Sequence, residues 1–482
     1  MSTCSVCNKD FEDEYFDVEQ KRCILHCEKD DWFTLDENDK KIWDDDKVKL
    51  FWKYIQNDLD KKYNTHITDS DLIEKEYILS NVIFPKFQDE VEYCSPANNE
   101  DKMGTNFYSY RVFEHPYKQS MPEVNTFFTK LIVLFNSCTF LDDANFKKYN
   151  FEHPILFNNC TFESEIELNK IYTNRVSFLT CSIQNLNCQD IIFEQKVKIQ
   201  NCIVNGKVNF YNTKFKELAD FYNTNFYDVN FKKTTFEDIS VFTESEFYED
   251  VDFKYTTFKK SALFRKTKFE KTVNFEDSIF KEEANFLDIT ANMANRETAR
   301  IIKNSFEQQN NIIEANKFYT LEMKEREKEL TKDIKNGKNI VDWLIFKAHA
   351  ISSNHSQDWL LALFWIIVIG ALYTIISFCS TNTCLNNINT PILIGSIFLV
   401  SLYSLHVYNK NDYKQFTKYI FLFLLFVNYF TLTKDVTLSC LADKINPTSE
   451  EPITFGLLMF KITIAYLIYQ FIVSVRQNTR RK

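Results

Sequence analysis

Glycine is scarce in this chain, with only 6 glycines among 482 residues. Loops that cradle phosphates need clustered glycines, because only then can the backbone approach the ligand closely. Neither a GxxxxGK nor a GxGxxG segment occurs in the sequence. Nucleotide-binding enzymes of those two classes are therefore disfavoured. No catalytic signature of another class takes their place, so the sequence predicts a protein that is not an enzyme.

An excess of positive charge is also missing. The formal net charge is −10 at pH 7, whereas a general nucleic-acid binder needs a basic face. We therefore expect no direct binding of nucleic acid. The chain starts with a polar and acidic segment, so we expect no signal peptide.

Phenylalanine, in contrast, is abundant, with 47 residues. Over one long stretch it recurs in alternating steps of five and six, at Phe242, Phe247, Phe253, Phe258, Phe264, Phe269, Phe275, Phe280 and Phe286. The same rhythm runs from Phe135 to Phe162. A helix of 3.6 residues per turn cannot keep this rhythm on one face. The spacing instead predicts a coil of short flat sides joined by turns.

A small or β-branched residue stands two positions before most of these phenylalanines, as Thr256 does before Phe258 and Ala262 before Phe264. Residues two apart on a strand point to the same side. Each phenylalanine and its smaller neighbour are therefore expected to face the interior together, with polar residues outside.

The segment VDFKYTTFKKSALFRKTKFEKTVNF resembles the pentapeptide-repeat family, in the variant with alternating five- and six-residue steps. The resemblance covers residues 131–288. It implies a mainly β fold, a right-handed quadrilateral β-helix with phenylalanines stacked in columns inside. The repeats between residues 135 and 286 correspond to about 7 coils, or ~34 Å at ~4.8 Å per coil.

The outward charges of this region are segregated. Residues 237–252 carry seven acidic residues and no basic one, whereas residues 254–271 carry seven basic residues and one acidic one. Such runs are typical of a solvated face. The alternative is a polar surface that binds a partner.

Four long apolar runs follow, and each reaches roughly the 20 residues that a helix needs to span a bilayer. They are Trp359–Phe378, Pro391–Tyr408, Phe416–Leu432 and Phe455–Val475. Basic residues follow the second and fourth runs, which indicates cytoplasmic loops there. The sequence thus predicts a four-helix transmembrane domain at residues 359–482. The protein would be a multi-pass protein of a bacterial inner membrane, with both termini in the cytoplasm.

Two connecting pieces remain. Residues 289–358 are predicted to form a helical capping and juxtamembrane segment, broken near Asn310. The last coil of a solenoid exposes an apolar end that must be covered, and Ile302, Phe306 and Ile313 are suitable side chains for covering it. Residues 46–130 are expected to be an N-terminal cap or linker, with a helix around Phe51 and Trp52.

The N-terminus carries Cys4-x2-Cys7 followed by Cys23-x2-His26-Cys27. Two close pairs at this distance match the spacing of structural zinc sites, so residues 1–45 are predicted to form a zinc-binding module. The fourth position is open between His26 and Cys27, and the softer thiolate favours Cys27. The alternative is a set of free cysteines in an acidic tail. No other cofactor is expected.

These features favour a non-enzymatic, membrane-anchored scaffold that presents a rigid solenoid to a protein partner at the cytoplasmic face. One alternative is a membrane sensor or effector that acts on the lipid bilayer through its four helices. Another is an inhibitor that mimics a polynucleotide. Residues 133–286 carry 19 Lys and Arg against 23 Asp and Glu, which is weak charge for such a mimic.

Overall fold

The computed structural model describes residues 1–62, 76–86, 93–94, 107–108, 132–146, 153–168, 171–172, 174–381 and 455–479. Two compact units are present, residues 1–310 and residues 311–482. The first unit contains a cysteine-rich module and a stack of parallel strands. The second contains helices. The fold is therefore mainly β with added helices, as the sequence predicts.

Three parallel sheets build the solenoid. The first has nine strands: Glu76–Ser80, Ile132–Asn136, Ile155–Asn158, Val176–Leu179, Val197–Gln200, Ala219–Asp220, Ser240–Val241, Ala262–Leu263 and Ala284–Asn285. The second has eleven: Ile83–Phe84, Thr139–Phe140, Ala144–Asn145, Thr161–Glu167, Ser182–Asn187, Ile203–Asn209, Asn225–Asn230, Glu246–Phe247, Val251–Asp252, Lys268–Asn274 and Thr290–Met293. The third has six: Ile171–Tyr172, Ile192–Phe193, Lys214–Phe215, Thr235–Phe236, Thr257–Phe258 and Ile279–Phe280.

The second sheet covers two sides of each coil, because its long strands contain an irregularity. In Thr161–Glu167, for example, the pairing register shifts between Phe162 and Glu165. Successive coils are offset by 21 or 22 positions in the sequence, as the pairs Asp220 with Val241 and Val241 with Leu263 show. The solenoid of about 7 coils that the sequence predicts between residues 135 and 286 is therefore confirmed.

Stacked phenylalanine rings fill the interior. Phe253 lies between Phe231 and Phe275, with ring centroids 4.8 and 4.9 Å apart. All three side chains are fully buried. The smaller inward residue is buried as well: the Thr256 hydroxyl donates to the carbonyl of Phe231 at 2.7 Å. Burying each phenylalanine stabilises the coil by roughly 2–3 kcal/mol.

The corners explain how a glycine-poor chain can turn so often. One corner of each coil has a residue with positive φ, between 49° and 62°: Ser137, Asn159, Thr180, Asn201, Asn223, Glu244, Lys266 and Asp288. Asn and Asp tolerate this left-handed conformation better than other residues that carry a Cβ. At Asn223 the backbone N–H donates to the carbonyl of Thr243 in the next coil, at 3.0 Å. Hydrogen bonds between coils thus hold these corners without glycine.

The parallel stack begins before residue 131. Leu79 pairs with Phe135, and the Phe84 ring stacks on Phe140 at 4.6 Å. The first helix, α1 (Asp45–Lys62), covers this end of the stack, with the Phe51 ring 5.7 Å from the Phe84 ring. The helix expected around Phe51 is therefore present, and it closes the apolar end of the first coil.

Helix α2 (Arg296–Gln308) lies at the other end of the solenoid. Its Ile302 and Phe306 are buried, and the Gln309 side chain donates to the Ala284 carbonyl in the last strand of the first sheet at 2.7 Å. Ile313, which we expected to take part in capping, is instead 58% exposed and belongs to the second unit. The break expected near Asn310 is present, because the next helix starts at Ile312.

The second unit consists of helices α3 (Ile312–Lys335), α4 (Ile340–Ser353), α5 (Trp359–Thr381) and α6 (Phe455–Thr479). Within the described residues one helical stretch, Leu457–Gln477, is long and apolar enough to cross a membrane, and Trp359–Gly370 is a shorter apolar stretch. Helices α5 and α6 pack together, with the Tyr373 and Phe460 rings stacked 3.8 Å apart. The second and third predicted spans lie outside the described residues.

Short elements complete the described chain. They are the antiparallel pairs Ser2–Thr3 with Asp10–Phe11, Phe16–Asp17 with Arg22–Cys23, Phe33–Leu35 with Lys41–Trp43 and Tyr93–Cys94 with Phe107–Tyr108, and the 3-10 turns Asp13–Tyr15 and Asp30–Trp32.

Candidate metal centre

Two small antiparallel hairpins position the cysteines of the N-terminal module. The turn of the first hairpin carries Cys4 and Cys7, and Asn8, with φ of 55°, lets the chain reverse. The Asn8 N–H donates to the Cys4 carbonyl at 2.9 Å. The second hairpin ends at Cys23, and the turn that follows brings His26 back, since the His26 N–H donates to the Cys23 carbonyl at 2.9 Å. Both pairs of residues therefore sit on tight turns.

The two turns face each other, so that four donor atoms meet. One donor atom each from Cys4, Cys7, Cys23 and His26 lies within 4.8 Å of the other three. The Nδ1 atom of His26 is 3.0 Å from the Sγ atom of Cys23 and 3.6 Å from that of Cys4. Ligand atoms of a tetrahedral zinc site lie roughly 3.3–3.8 Å apart, given the usual zinc–sulfur and zinc–nitrogen distances. The cluster could therefore hold a metal ion.

A second hydrogen bond fixes the tautomer of His26. Its Nε2 atom lies 3.1 Å from the carbonyl oxygen of Ser80 in the first coil. Because a carbonyl can only accept, Nε2 carries the proton and Nδ1 keeps its lone pair toward the cysteines. Histidines that bind metals usually donate their other ring N–H in this way. The imidazole is thus oriented for coordination.

The electrostatic surroundings of the thiols also suit a metal. Burial raises the pKa of the Cys4 thiol, but hydrogen bonds from backbone amides, including those of Cys7 and Cys23, outweigh burial and lower this pKa to about 6. The Cys23 N–H reaches the Cys4 sulfur at 3.3 Å. Cys4 is therefore readily a thiolate, which is the form that binds metals. Burial raises the pKa of Cys23, so its thiolate needs a cation nearby.

Cys27 does not belong to the cluster. Its sulfur lies 3.7 Å from the Ile24 carbonyl and 3.8 Å from the Nζ atom of Lys29. The geometry therefore selects His26 as the fourth residue, against the preference for Cys27 drawn from ligand softness. The side chains of His26 and Cys27 point in different directions from this turn. The backbone conformation of the turn therefore decides which of the two faces the other cysteines.

Lys29 is a buried residue that the sequence did not reveal. Its side chain is only 1% exposed, and its ammonium donates to the carbonyls of Ile24 and Cys27 at 3.1 and 3.0 Å. Burial lowers the pKa of Lys29 to about 8. The Trp32 ring lies 4.9 Å from its Nζ atom. Lys29 thus ties the turn after Cys23 to the aromatic residues beneath it.

The module is fastened to the first coils of the solenoid. The Ile83 N–H donates to the Leu25 carbonyl at 2.9 Å, and the Lys41 ammonium donates to the Leu141 carbonyl at 2.7 Å. The Trp43 indole N–H donates to the Asp142 carboxylate at 2.5 Å. Four protein ligands would fill the coordination sphere of a tetrahedral ion and would leave it no open position for catalysis. The arrangement suits a structural ion.

Comparison with known proteins identifies a repeat family within the solenoid. A family model described as pentapeptide repeats matches in nine copies, over residues 189–235 and 242–290. The chain carries pentapeptide repeats. No curated protein and no solved structure matches it. The family resemblance inferred from the phenylalanine rhythm is confirmed, and the matched residues all lie in the solenoid.

The outward charges of the pentapeptide-repeat solenoid pair with one another between coils. The acidic run and the basic run lie on consecutive coils, so residues 22 positions apart meet: Glu237 with Lys259 at 2.7 Å and Glu244 with Lys266 at 2.9 Å. Lys254 pairs in turn with Glu276 at 2.7 Å. The charge segregation seen in the sequence therefore places acidic and basic residues of consecutive coils opposite each other, where they form a ladder of ion pairs within the chain.

Exposed tyrosines stand out on the same pentapeptide-repeat surface. Tyr227 and Tyr248 follow the inward residues Phe226 and Phe247, which pair on adjacent coils. The two tyrosines are 51% and 39% exposed. Large aromatic side chains of this kind are enriched where proteins bind each other.

Proposed function

We propose that this protein is a non-enzymatic scaffold that is anchored to a membrane by its helical unit and offers the outside of its solenoid to a protein partner. The filled interior of the solenoid carries the proposal. Phenylalanines such as Phe231 and Phe253 are fully buried in stacks, so binding has only the outer surface to use. A zinc ion held by Cys4, Cys7, Cys23 and His26 would stabilise the N-terminal end of this rod.

The contact surface that we propose is the pair Tyr227 and Tyr248. The neighbouring acids and bases already satisfy each other, as Glu246 does with Lys268 at 2.5 Å, and exposed pairs of this kind contribute little to binding. The tyrosines offer apolar area together with a hydroxyl, and such residues dominate the energy of many interfaces.

Photo-crosslinking in the native cell tests this surface. A photoreactive phenylalanine analogue placed at position 227 or 248 of the full chain is expected to capture the same discrete protein. The same analogue at Ile239, which is also exposed but precedes a strand of the first sheet, should not capture it. Equal capture from all three positions, or none from 227 and 248, would contradict the proposed surface.

Membrane anchoring rests on the apolar stretch Leu457–Gln477 and on the apolar runs of the sequence. We propose four spans in the inner membrane of a bacterium, with both termini in the cytoplasm, because basic residues follow the second and fourth runs.

A reporter enzyme that is active only outside the cytoplasm checks this topology. Fused after Lys482 it is expected to be silent, and inserted near Asn386 it is expected to be active. The opposite pattern would overturn the arrangement with both ends in the cytoplasm.

A membrane sensor or effector is the second candidate function. Polar side chains buried between helices favour it: the Ser353 hydroxyl on α4 donates to the Gln470 side chain on α6 at 3.0 Å. Deleting residues 131–288 separates the two functions, because a scaffold would lose its partner and a helical effector would keep its effect. A polynucleotide mimic is less well supported, since acidic side chains of the solenoid pair with lysines of the next coil, as Glu237 does with Lys259.

A further inference from the structure

A strained turn joins α4 to α5. Asn354, His355 and Ser356 all adopt positive φ, at 48°, 55° and 64°. The left-handed conformation is costly for residues that carry a Cβ, and three of them occur here in succession. Such conformations persist only where the surrounding structure holds them. The turn directs His355 inward, where its side chain is only 2% exposed. Strain of this kind is often found at functional positions.

The buried histidine belongs to a connected polar network. His355 Nδ1 lies 3.3 Å from His349 Nδ1, and His349 Nε2 lies 3.3 Å from the Ser356 hydroxyl oxygen. The Ser356 hydroxyl donates to the Gln470 side-chain oxygen on α6 at 3.0 Å. All these groups lie within the helical unit.

The hydrogen bond from Ser356 to Gln470 determines which atoms donate in the rest of the network. The Ser356 proton goes to Gln470, so the Ser356 oxygen accepts from His349 Nε2–H. His349 Nδ1 then has a lone pair and accepts from His355 Nδ1–H. The Nε2 atom of His355 is consequently a lone-pair acceptor, and it is buried with no hydrogen-bond partner in the described part of the chain.

Two other roles for this network fit less well. A serine nucleophile would need backbone N–H groups free to stabilise an oxyanion, but the Ser356 N–H donates to the Ser353 hydroxyl at 2.9 Å. A metal would need further ligands, and among the described residues no third His, Cys, Asp or Glu forms a ligand group with the two histidines. The remaining interpretation is that His355 Nε2 is a basic atom, held in a fixed position, that can take up a proton.

We propose that His349 and His355 form a proton-binding site, and that proton uptake there loosens the packing of α4 against α6. Protonation of His355 would place a charge inside a buried network that has no acceptor for the new N–H. The network passes through Gln470, so the disturbance reaches α6 directly.

The surrounding groups support this reading. Burial lowers the pKa of both histidines, and for His355 the nearby His349 lowers it further. Glu327 on α3 raises the pKa of His355, and Lys347 on α4 lowers it. Helix α6 presents the uncharged Gln470 and the Tyr466 hydroxyl, which lies 3.3 Å from the Ser352 hydroxyl. Directly before α5, the Asp358 carboxylate accepts from the Leu360 N–H at 3.1 Å.

The direction of the pH effect follows from these lowered pKa values. An unfolded histidine takes up a proton near pH 6.5, whereas the buried pair resists protonation to lower pH. The packed state is therefore fully stabilised above about pH 6.5, and this stabilisation is lost as the pH falls toward the lowered pKa values of the pair. Acidification weakens the contact, and neutral pH restores it.

Amide hydrogen exchange of the full chain in detergent micelles tests the proposal. Exchange in α4 and α6, corrected for its intrinsic pH dependence, is expected to be several-fold faster at pH 5.5 than at pH 7.5, because the stabilisation falls as the pH drops toward the lowered pKa values of the pair. His355→Gln keeps a polar side chain without a titrating proton and should remove the difference. His153→Gln, a matched change in the first unit, should preserve it.

A pH response that persists in His355→Gln would overturn the proposal, and so would the absence of any response in the unmodified chain. If His355→Gln fails to fold, NMR of histidine-labelled unmodified protein decides the question, because ordinary pKa values for all its histidines would contradict a buried pair. Slower exchange of α4 on addition of Zn²⁺ at pH 7.5 would indicate a metal site instead and would also overturn it.

Discussion

Replacing Phe253 with alanine is expected to reduce the free energy of unfolding of the solenoid by roughly 3–5 kcal/mol. The ring is stacked 4.8 Å from Phe231 and 4.9 Å from Phe275, and it is fully buried. Its removal leaves a cavity that neighbouring coils cannot fill, because their positions are fixed by hydrogen bonds between strands. Denaturant unfolding of the full chain in detergent, followed by circular dichroism, measures the loss.

Lys254→Ala is the control, one residue further along the same coil. Its ammonium pairs with Glu276 on the surface, and such pairs contribute little because water screens them. The midpoint of unfolding should therefore remain close to that of the unmodified chain. Equal losses from the two substitutions would contradict the stacked core.

Purified protein is expected to contain about one zinc ion per chain, and Cys7→Ser or Cys23→Ser should remove it, because a tetrahedral site cannot close on the remaining ligands. The structure also predicts that His26→Ala removes the metal, because His26 Nδ1 lies 3.0 Å from the Cys23 sulfur. Elemental analysis of the full chain, expressed in a reducing cytoplasm, measures the content.

Cys27→Ser provides the matched control, since Cys27 is adjacent to His26, buried, and directed toward Lys29. It should leave the metal content unchanged. Metal lost with Cys27 and kept without His26 would show that the turn is arranged differently. Chelation should in addition speed amide exchange around Ser80, because His26 donates to its carbonyl and metal binding is coupled to the folding of so small a module.

The repeat could be predicted because its physical cause is periodic. From Phe242 to Phe286 each side of a coil carries one inward phenylalanine, so the spacing of these residues equals the length of one side. The beginning of the stack was harder to predict. Among the described residues of that part of the chain, Leu79 and Phe84 continue the rhythm, and a long stretch of sequence separates them from Phe135.

The ion pairs between coils could also be predicted from the sequence, but not by looking for runs of acidic or basic residues. Glu244 and Lys266 stand one full coil apart, at a separation of 22 positions, so their relation appears only when the coil length is used as the period. The choice of His26 over Cys27 had no such signal, because one backbone turn decides it. His349 and His355 likewise carry no pattern, since their meeting depends on the left-handed turn between α4 and α5.

The ladder of ion pairs makes the order of the coils matter. A core of repeated phenylalanines alone would accept any number of coils, because each coil presents the same apolar surface to the next. Excision of residues 254–275 would keep the phenylalanine rhythm, but it would bring Asp288 opposite Glu244, where Lys266 now lies. Like charges placed opposite each other destabilise a sheet. The length of this rod is therefore encoded in its surface charges as well as in its core.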